Sequence, residues 1–307
     1  MHDPRAFGVE AGGLGAQRPW RAVSALDAEP TALPLHRGRS NSLRGMALAD
    51  EYDGFLVDLD GVVWVGREVV PGAAEALRAL LEAGREVVFV TNNPGRPAAT
   101  YAERLREAGV PVDATRVVTA GEATAALAAQ RAGAGATAFV IGAPAFREAV
   151  AAAGLRPLDD EDARRAEAVV VSGHRGFDYG ELLTATLALH GGAALFATSR
   201  DPTMPMPGGA WPGTGSVLAA VETASGATAE IGGKPEPPLF ETARGRIAAA
   251  ERVAMVGDRV SSDIEGGRRA GLGTILVLTG ATSREQADRA EPRPDHVLGC
   301  LADLTRS

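Results

Sequence analysis

The chain has 307 residues, 45% of them apolar and 23% charged, enough for one large domain or two of ordinary size and too apolar for a disordered polymer. Its 39 acidic and 31 basic residues give a net charge of −8, which argues against a nucleic-acid or anionic-membrane partner and for small-molecule work. One cysteine, Cys300, and five scattered histidines (His2, His36, His174, His190 and His296) leave no internal disulfide and no zinc cluster. No window reaches the length of an apolar membrane span, and Met1-His2-Asp3-Pro4-Arg5 lacks the pattern of a secretory signal, so a cytoplasmic protein is expected. Residues 1–45, rich in Gly, Pro, Arg and Ser and without a period of 2 or 3.6, read as a flexible N-terminal tail, and Met46 is a candidate start of translation.

Beyond the tail, short β-branched runs alternate with longer Ala/Leu/Arg/Glu stretches of helical period, which predicts an α/β fold with a parallel sheet. The runs are Phe55–Val57, Val87–Val90, Ala138–Ile141, Val169–Val171, Leu195–Ala197, Val253–Val256 and Thr274–Leu278. Helical stripes include Ala73–Ala83 and Tyr101–Ala108.

Three runs end in reactive side chains: Phe55–Val57 leads into Asp58-Leu59-Asp60-Gly61, Val87–Val90 into Thr91-Asn92-Asn93, and Val253–Val256 into Gly257-Asp258. Parallel sheets bind ligands at the carboxyl ends of their strands, so these groups can converge. In an extended strand alternate side chains share a face, so Asp58 and Asp60 can reach one pocket, where two carboxylates call for a cation; a turn is the alternative reading. A calcium loop is ruled out because Val62, Val63 and Val69 stand where it needs an acid or amide, a glycine and an acid. Asp258 and Asp263 supply a second acidic set; taken alone, Asp258 could be a helix N-cap, but with the first pair they describe a magnesium site facing a phosphate.

Thirty arginines accompany a single lysine, Lys234, in Gly232-Gly233-Lys234-Pro235. A lysine kept in such a chain implies a place for a compact three-donor charge that the guanidinium fork does not fit. It is not a P-loop lysine, since Pro235 follows where Ser or Thr is needed, and Gly213-Thr214-Gly215-Ser216 is a weak dinucleotide motif with Leu218 in the third glycine's place.

In order, Asp58-x-Asp60-Gly61, Thr91-Asn92-Asn93, Gly233-Lys234-Pro235 and Gly257-Asp258 with Asp263 resemble the four motifs of the haloacid dehalogenase (HAD) superfamily, class IIA branch (the NagD-like, 4-nitrophenylphosphatase and phosphoglycolate phosphatase group). The resemblance spans roughly residues 50–300 and implies a Rossmann-like doubly wound parallel-sheet core with an inserted α/β cap of the C2 type. Thr91 and Lys234 are 143 residues apart; setting aside about 40 for one core helix and strand leaves about 100, an ordinary small domain. The cap is therefore expected at 132–228 and the core at 46–131 and 229–307.

The activity implied is magnesium-dependent hydrolysis of small phosphomonoesters. Asp58 would be the nucleophile, forming an aspartyl-phosphate, and Asp60 the general acid and base. The Asp58 side chain, the Asp60 backbone carbonyl and Asp258 would hold Mg2+; Thr91, Asn92 and Lys234 would bind phosphate; Asp263 would orient Lys234 or a metal-bound water. Cap residues His174, Arg175, Arg200 and Asp201 are candidates for substrate specificity. The first three would suit a second anionic group, as in phosphoglycolate, with a solvated loop the alternative reading; glycerol phosphate fits the resemblance equally. His174 and Ser199 stand where the family commonly has Asp and Asn. The implied partner is a small phosphorylated metabolite, with no nucleic acid and no membrane, and a homodimer through the cap is compatible with the resemblance. A phosphotransferase or mutase, and a non-catalytic phosphometabolite-binding protein, are the rival classes.

Overall fold

The computed structural model describes residues 47–206 and 209–306. The tail expected at 1–45 and the candidate start Met46 lie outside them. The chain begins with β1 (Gly54–Asp58), the short pair β2 (Trp64–Val65) and β3 (Glu68–Val69), α1 (Ala73–Glu82), β4 (Glu86–Thr91), α2 (Ala98–Glu107), β5 (Val117–Thr119) and α3 (Ala120–Ala132). A second sheet follows with β6 (Thr137–Ile141), α4 (Pro144–Ala152), β7 (Arg156–Leu158), β8 (Ala168–Val171), α5 (Tyr179–His190), β9 (Ala194–Ala197), the antiparallel pair β10 (Thr203–Met206) and β11 (Gly209–Pro212), α6 (Thr214–Ser225) and β12 (Glu230–Ile231). The return comprises α7 (Pro237–Gly245), β13 (Val253–Gly257), α8 (Glu265–Arg269), β14 (Gly273–Val277), α9 (Arg284–Asp288) and β15 (His296–Leu298).

The first sheet is parallel, in the order β15-β14-β13-β1-β4-β5. Numbered within this sheet alone, that is the doubly wound order 3-2-1-4-5-6, and the order reverses between β1 and β13. These two strands pair from Gly54↔Val253 to Val57↔Val256, so Asp58 and Gly257-Asp258 emerge side by side at the switch point. The strands are buried on both faces, which is why they read as unbroken apolar runs rather than alternating ones. Phe55, Val57, Val87 and Phe89 pack with α1 and α2, while Leu56, Val88, Val90 and Met255 pack with α7 on the opposite face. Truncating Phe55 to alanine would cost about 3–5 kcal/mol.

The second sheet is also parallel, in the order β12-β9-β8-β6-β7. α3 spans both cores: Ala120 and Ala123 pack under the first sheet, Ala125, Leu127 and Ala128 under the second. At the other crossing, β12 pairs with β9 through Glu230↔Phe196 and Ile231↔Ala197. The second sheet therefore runs past residue 228, the limit expected from spacing, because two residues of β12 carry too little pattern to be seen in the sequence.

Candidate active site

The fully buried β1 ends in Asp58, itself only 7% exposed. The strand does not continue through Asp60 as expected. The chain turns at Leu59, whose carbonyl accepts from Val63 N (2.9 Å) and Trp64 N (3.3 Å), and Gly61 N donates to Trp64 O (2.7 Å). Asp60 is left exposed, its Oδ1 accepting from Trp64 Nε1 at 2.9 Å. Its carboxylate thus lies outside the acidic cluster and only its backbone carbonyl remains as a prospective metal ligand. The turn requires a glycine next: Gly61 has φ +90°, and a Cβ there would sit 2.3 Å from Asp258 Oδ2.

Asp58, Asp258 and Asp263 are all buried, with one carboxylate oxygen of each within 4.8 Å of the others. Asp258 follows β13, and its Oδ2 accepts from Ala281 N at 2.6 Å. Asp263 sits in a π-helical turn (Val260–Ile264), a feature frequent at functional sites, and its Oδ2 accepts from Arg259 N at 3.0 Å.

Lys234, 4% exposed, reaches the same point from the segment between β12 and α7. Its Nζ donates to Asp58 Oδ1 and Asp263 Oδ1, both at 2.7 Å. An ammonium has three N–H groups, so one is left for a substrate oxygen. The Lys234 backbone is gripped on both sides by one amide: Asn92 Nδ2 donates to Lys234 O (2.9 Å) and Lys234 N donates to Asn92 Oδ1 (2.8 Å). The Asn92 side chain thus serves Lys234, which leaves its backbone N–H as the group to meet a phosphate. Gly233 permits the approach, since a Cβ there would fall 2.8 Å from Asn92 Oδ1 and 2.3 Å from the carbonyl of Thr198, the residue after β9. Thr91 is buried at the end of β4, and its Oγ1 accepts from Asn93 N at 3.0 Å, leaving the hydroxyl proton to donate.

Three buried carboxylates face one ammonium. Burial alone would lower the Lys234 pKa, but Asp263 and Asp58 outweigh it and hold the amine charged. One lysine cannot neutralise three acids, and burial drives the Asp58 carboxyl well above the usual carboxylate range despite Lys234. Burial and the Asp263 charge raise Asp258 likewise. Asp258 Oδ1 is buried with no hydrogen-bond partner among the described residues, an acceptor awaiting a cation. Oxygen donors, surplus negative charge and this orphaned atom fit magnesium. Asp58 and Asp258, with the Asp60 carbonyl, could hold it, while both oxygens of Asp263 accept from Lys234 and Arg259.

Models of two families match the chain, a haloacid dehalogenase-like hydrolase over residues 55–156 and a HAD-hydrolase-like family over 231–304. The D-glycerol 3-phosphate phosphatase of Mycobacterium tuberculosis is 40% identical over 263 residues, 84% of this chain and 72% of the relative. The chain belongs to the haloacid dehalogenase-like hydrolases. Rat (Rattus norvegicus) chronophin is also 40% identical, over 87% of this chain and 92% of its own length. The crystal structure of the M. tuberculosis glycerol phosphate phosphatase in complex with magnesium superposes with a TM-score of 0.78 at 38% identity, covering 85% of this chain and 78% of that one. This HAD hydrolase is a phosphatase, and its buried carboxylate cluster could hold a divalent metal ion. No helix among its described residues is long and apolar enough to cross a membrane.

Beside the second sheet of this HAD phosphatase the loops that carry His174 and Arg200 meet the Gly213–Ser216 turn: Gly173 N donates to Thr214 Oγ1 (2.9 Å) and Gly215 N to Asp201 O (2.8 Å). The three side chains suited to an anion each have another partner there. His174 Nε2 lies 2.9 Å from Glu181 Oε2 on α5, and Arg200 makes a bidentate pair, both bonds 2.9 Å, with Glu222 on α6. Arg175 is exposed and stacks on Trp211, 4.4 Å from the ring centroid, and the exposed Asp201 contributes its backbone carbonyl to the junction. Sequence reasoning missed Glu181 and Glu222, which are unremarked acids within helices. It also missed the loop after β14, where Thr279 Oγ1 donates to Gly61 O (2.5 Å) and Ala281 N holds Asp258. Thr279-Gly280, a polar step at the end of an apolar run, was the available signal.

Proposed function

We propose that this magnesium-dependent HAD phosphatase hydrolyses small phosphomonoesters whose leaving group is a short uncharged polyol, glycerol phosphate being the type, in preference to phosphoglycolate. The observation that carries this reading is pairing in the second domain: of the three side chains suited to a second anionic group, His174 and Arg200 are already matched by Glu181 and Glu222, and only Arg175, stacked on Trp211, has no acid beside it among the described residues. A carboxylate-bearing substrate would have to displace one of those partners, whereas hydroxyl groups can bond alongside them.

In the reaction, Asp58 attacks phosphorus and becomes the aspartyl-phosphate, and Asp60 gives a proton to the departing alkoxide and later takes one from water. Lys234 holds a phosphoryl oxygen through its third N–H, and the Thr91 hydroxyl holds another. Asp263 and Asn92 position Lys234 by its two ends. Bound magnesium supplies charge neutralisation at the phosphoryl oxygens and at the crowded carboxylates. The domain spanning about residues 132–231 bears on the leaving group, supported by the contact of Gly233 with Thr198. The same reading takes the enzyme as cytoplasmic, supported by its lone Cys300.

Phosphate release from glycerol 3-phosphate and 2-phosphoglycolate, measured with magnesium and with a chelator, tests the proposal. The expected outcome is a kcat/KM for glycerol 3-phosphate about tenfold or more above that for phosphoglycolate, both lost on chelation. Equal or better turnover of phosphoglycolate would overturn the substrate assignment.

A further inference from the structure

The Asp60 carboxylate stands outside the buried cluster, so something else must aim it. Its Oδ1 accepts from Trp64 Nε1 at 2.9 Å, and Trp64 is fully buried, a fixed post beside an exposed acid. The two are also tied through the backbone by a bridge between Asp60 and Trp64, in which Gly61 N donates to Trp64 O (2.7 Å) and Trp64 N to Leu59 O (3.3 Å). Trp64 is backed in turn by α2. The Arg104 guanidinium carbon lies 3.9 Å from the centroid of the indole ring, and Arg104 Nη2 donates to Gly66 O (2.7 Å) at the turn between β2 and β3. One side chain from a separate helix therefore clamps both the ring and the loop that carries it.

We propose that Trp64, held by Arg104, is the positioning residue for the proton-transfer group of this phosphatase. The chemistry follows from the indole N–H, which donates and cannot accept. Its partner oxygen, Oδ1, is kept as the acceptor in both protonation states, so the proton resides on and leaves from Oδ2. Oδ2 is thereby the one oxygen presented to the leaving group and later to water. When an alkyl ester is cleaved, the P–O bond breaks with its electron pair passing to the alkoxide oxygen while the Oδ2–H proton moves to that oxygen; Asp58 keeps the phosphoryl group and Asp60 ends as carboxylate.

The inference rests on the reading of Asp60 as general acid, and the test separates the two. An alkoxide leaving group needs the proton and nitrophenolate does not, so kcat/KM is compared between glycerol 3-phosphate and 4-nitrophenyl phosphate for Asp60→Asn, Trp64→Phe and Arg104→Met. Asp60→Asn is expected to lose about 10²-fold or more on the alkyl ester and far less on the aryl ester. Trp64→Phe is expected to lose about tenfold or more on the alkyl ester with less than about twofold change on the aryl ester, and Arg104→Met to follow in the same direction by about threefold. Arg104→Lys, which keeps a cation over the ring, should recover part of that loss. Arg104 is only half-buried, so its variants carry the test if Trp64→Phe fails to fold. Equal losses on both esters for Trp64→Phe and Arg104→Met, beside a selective loss for Asp60→Asn, would overturn the positioning role alone. A rise on the alkyl ester would overturn it too, since Trp64 would then be holding Asp60 away. No selective loss in Asp60→Asn would sink the acid assignment and the proposal with it.

Discussion

Replacing Lys234 by arginine keeps the charge and changes only its shape. The lysine side chain is 3% exposed and its Nζ sits 2.7 Å from both Asp58 Oδ1 and Asp263 Oδ1. Arginine brings a longer, planar head into a space without slack, and overpacking of this kind costs about 1–3 kcal/mol. In a domain of this size that corresponds to a fall in Tm on the order of 5 °C. The activity change should be larger, because the third N–H no longer points to one phosphoryl oxygen; losing one such donor lowers kcat by about 10²–10³. Lys234→Met is the informative companion. It leaves Asp58 and Asp263 buried without their shared cation, a loss of about 3–5 kcal/mol. Three carboxylates against one ammonium carry a formal charge of −2 in the metal-free native protein if all are ionised, and −3 in the methionine variant. Magnesium should therefore raise the Tm of Lys234→Met more than that of the native enzyme. Thermal unfolding with magnesium or chelator, together with steady-state phosphate release, reads both effects. Arginine activity within about threefold of native would refute the claim that a compact ammonium is required.

Other outcomes follow from the same geometry. Asp58→Asn should abolish phosphate release yet leave the metal-free protein at least as heat-stable as the native one, because burial opposes charge at that carboxyl and an amide oxygen can still accept from Lys234; a marked fall in metal-free Tm would contradict this. Asp258→Asn should retain the bond from Ala281 N but erase the magnesium-induced rise in Tm, which saturating metal supplies at roughly 2.7 kcal/mol for a hundredfold excess over Kd. Glu181→Gln should leave His174 without its carboxylate and raise the phosphoglycolate to glycerol phosphate ratio of kcat/KM by about threefold, the scale of a partly exposed pair; an unchanged ratio would remove His174 from the substrate's reach.

Much of the fold was legible because strands buried on both faces are written as continuous apolar runs. β1, β4, β6, β8, β9, β13 and β14 all coincide with such runs to within a residue or two at each end. The strands that escaped are short or lie at sheet edges. β5 has three residues and passes directly into α3, with Thr119 ending one and capping the other through Glu122 N (3.1 Å). β7 contains Pro157, which reads against a strand and is tolerated there because β7 pairs on one side only. β12 has two residues, and its loss from the sequence pattern is what shortened the expected inserted domain.

At the site, the positions were legible and the partnerships were not. Parallel topology brings strand ends together whatever their side chains do next, so Asp58, Thr91 and Asp258 could be gathered on paper. Side-chain partners depend on tertiary packing that no local pattern records, which hid the grip of Asn92 on Lys234 and the pairing of Arg200 and His174 with acids on helices. Lys234 is the instructive exception, since its oddity among thirty arginines was visible and the reason was not. Two acceptors at 2.7 Å lie on separate elements, the end of β1 and the π-helical turn, and a substrate oxygen must take a third direction. A tetrahedral ammonium offers three diverging N–H groups from one atom, whereas a guanidinium spreads its five in a plane. Demand for three directions from a single buried centre is therefore what kept a lysine where the rest of the chain prefers arginine.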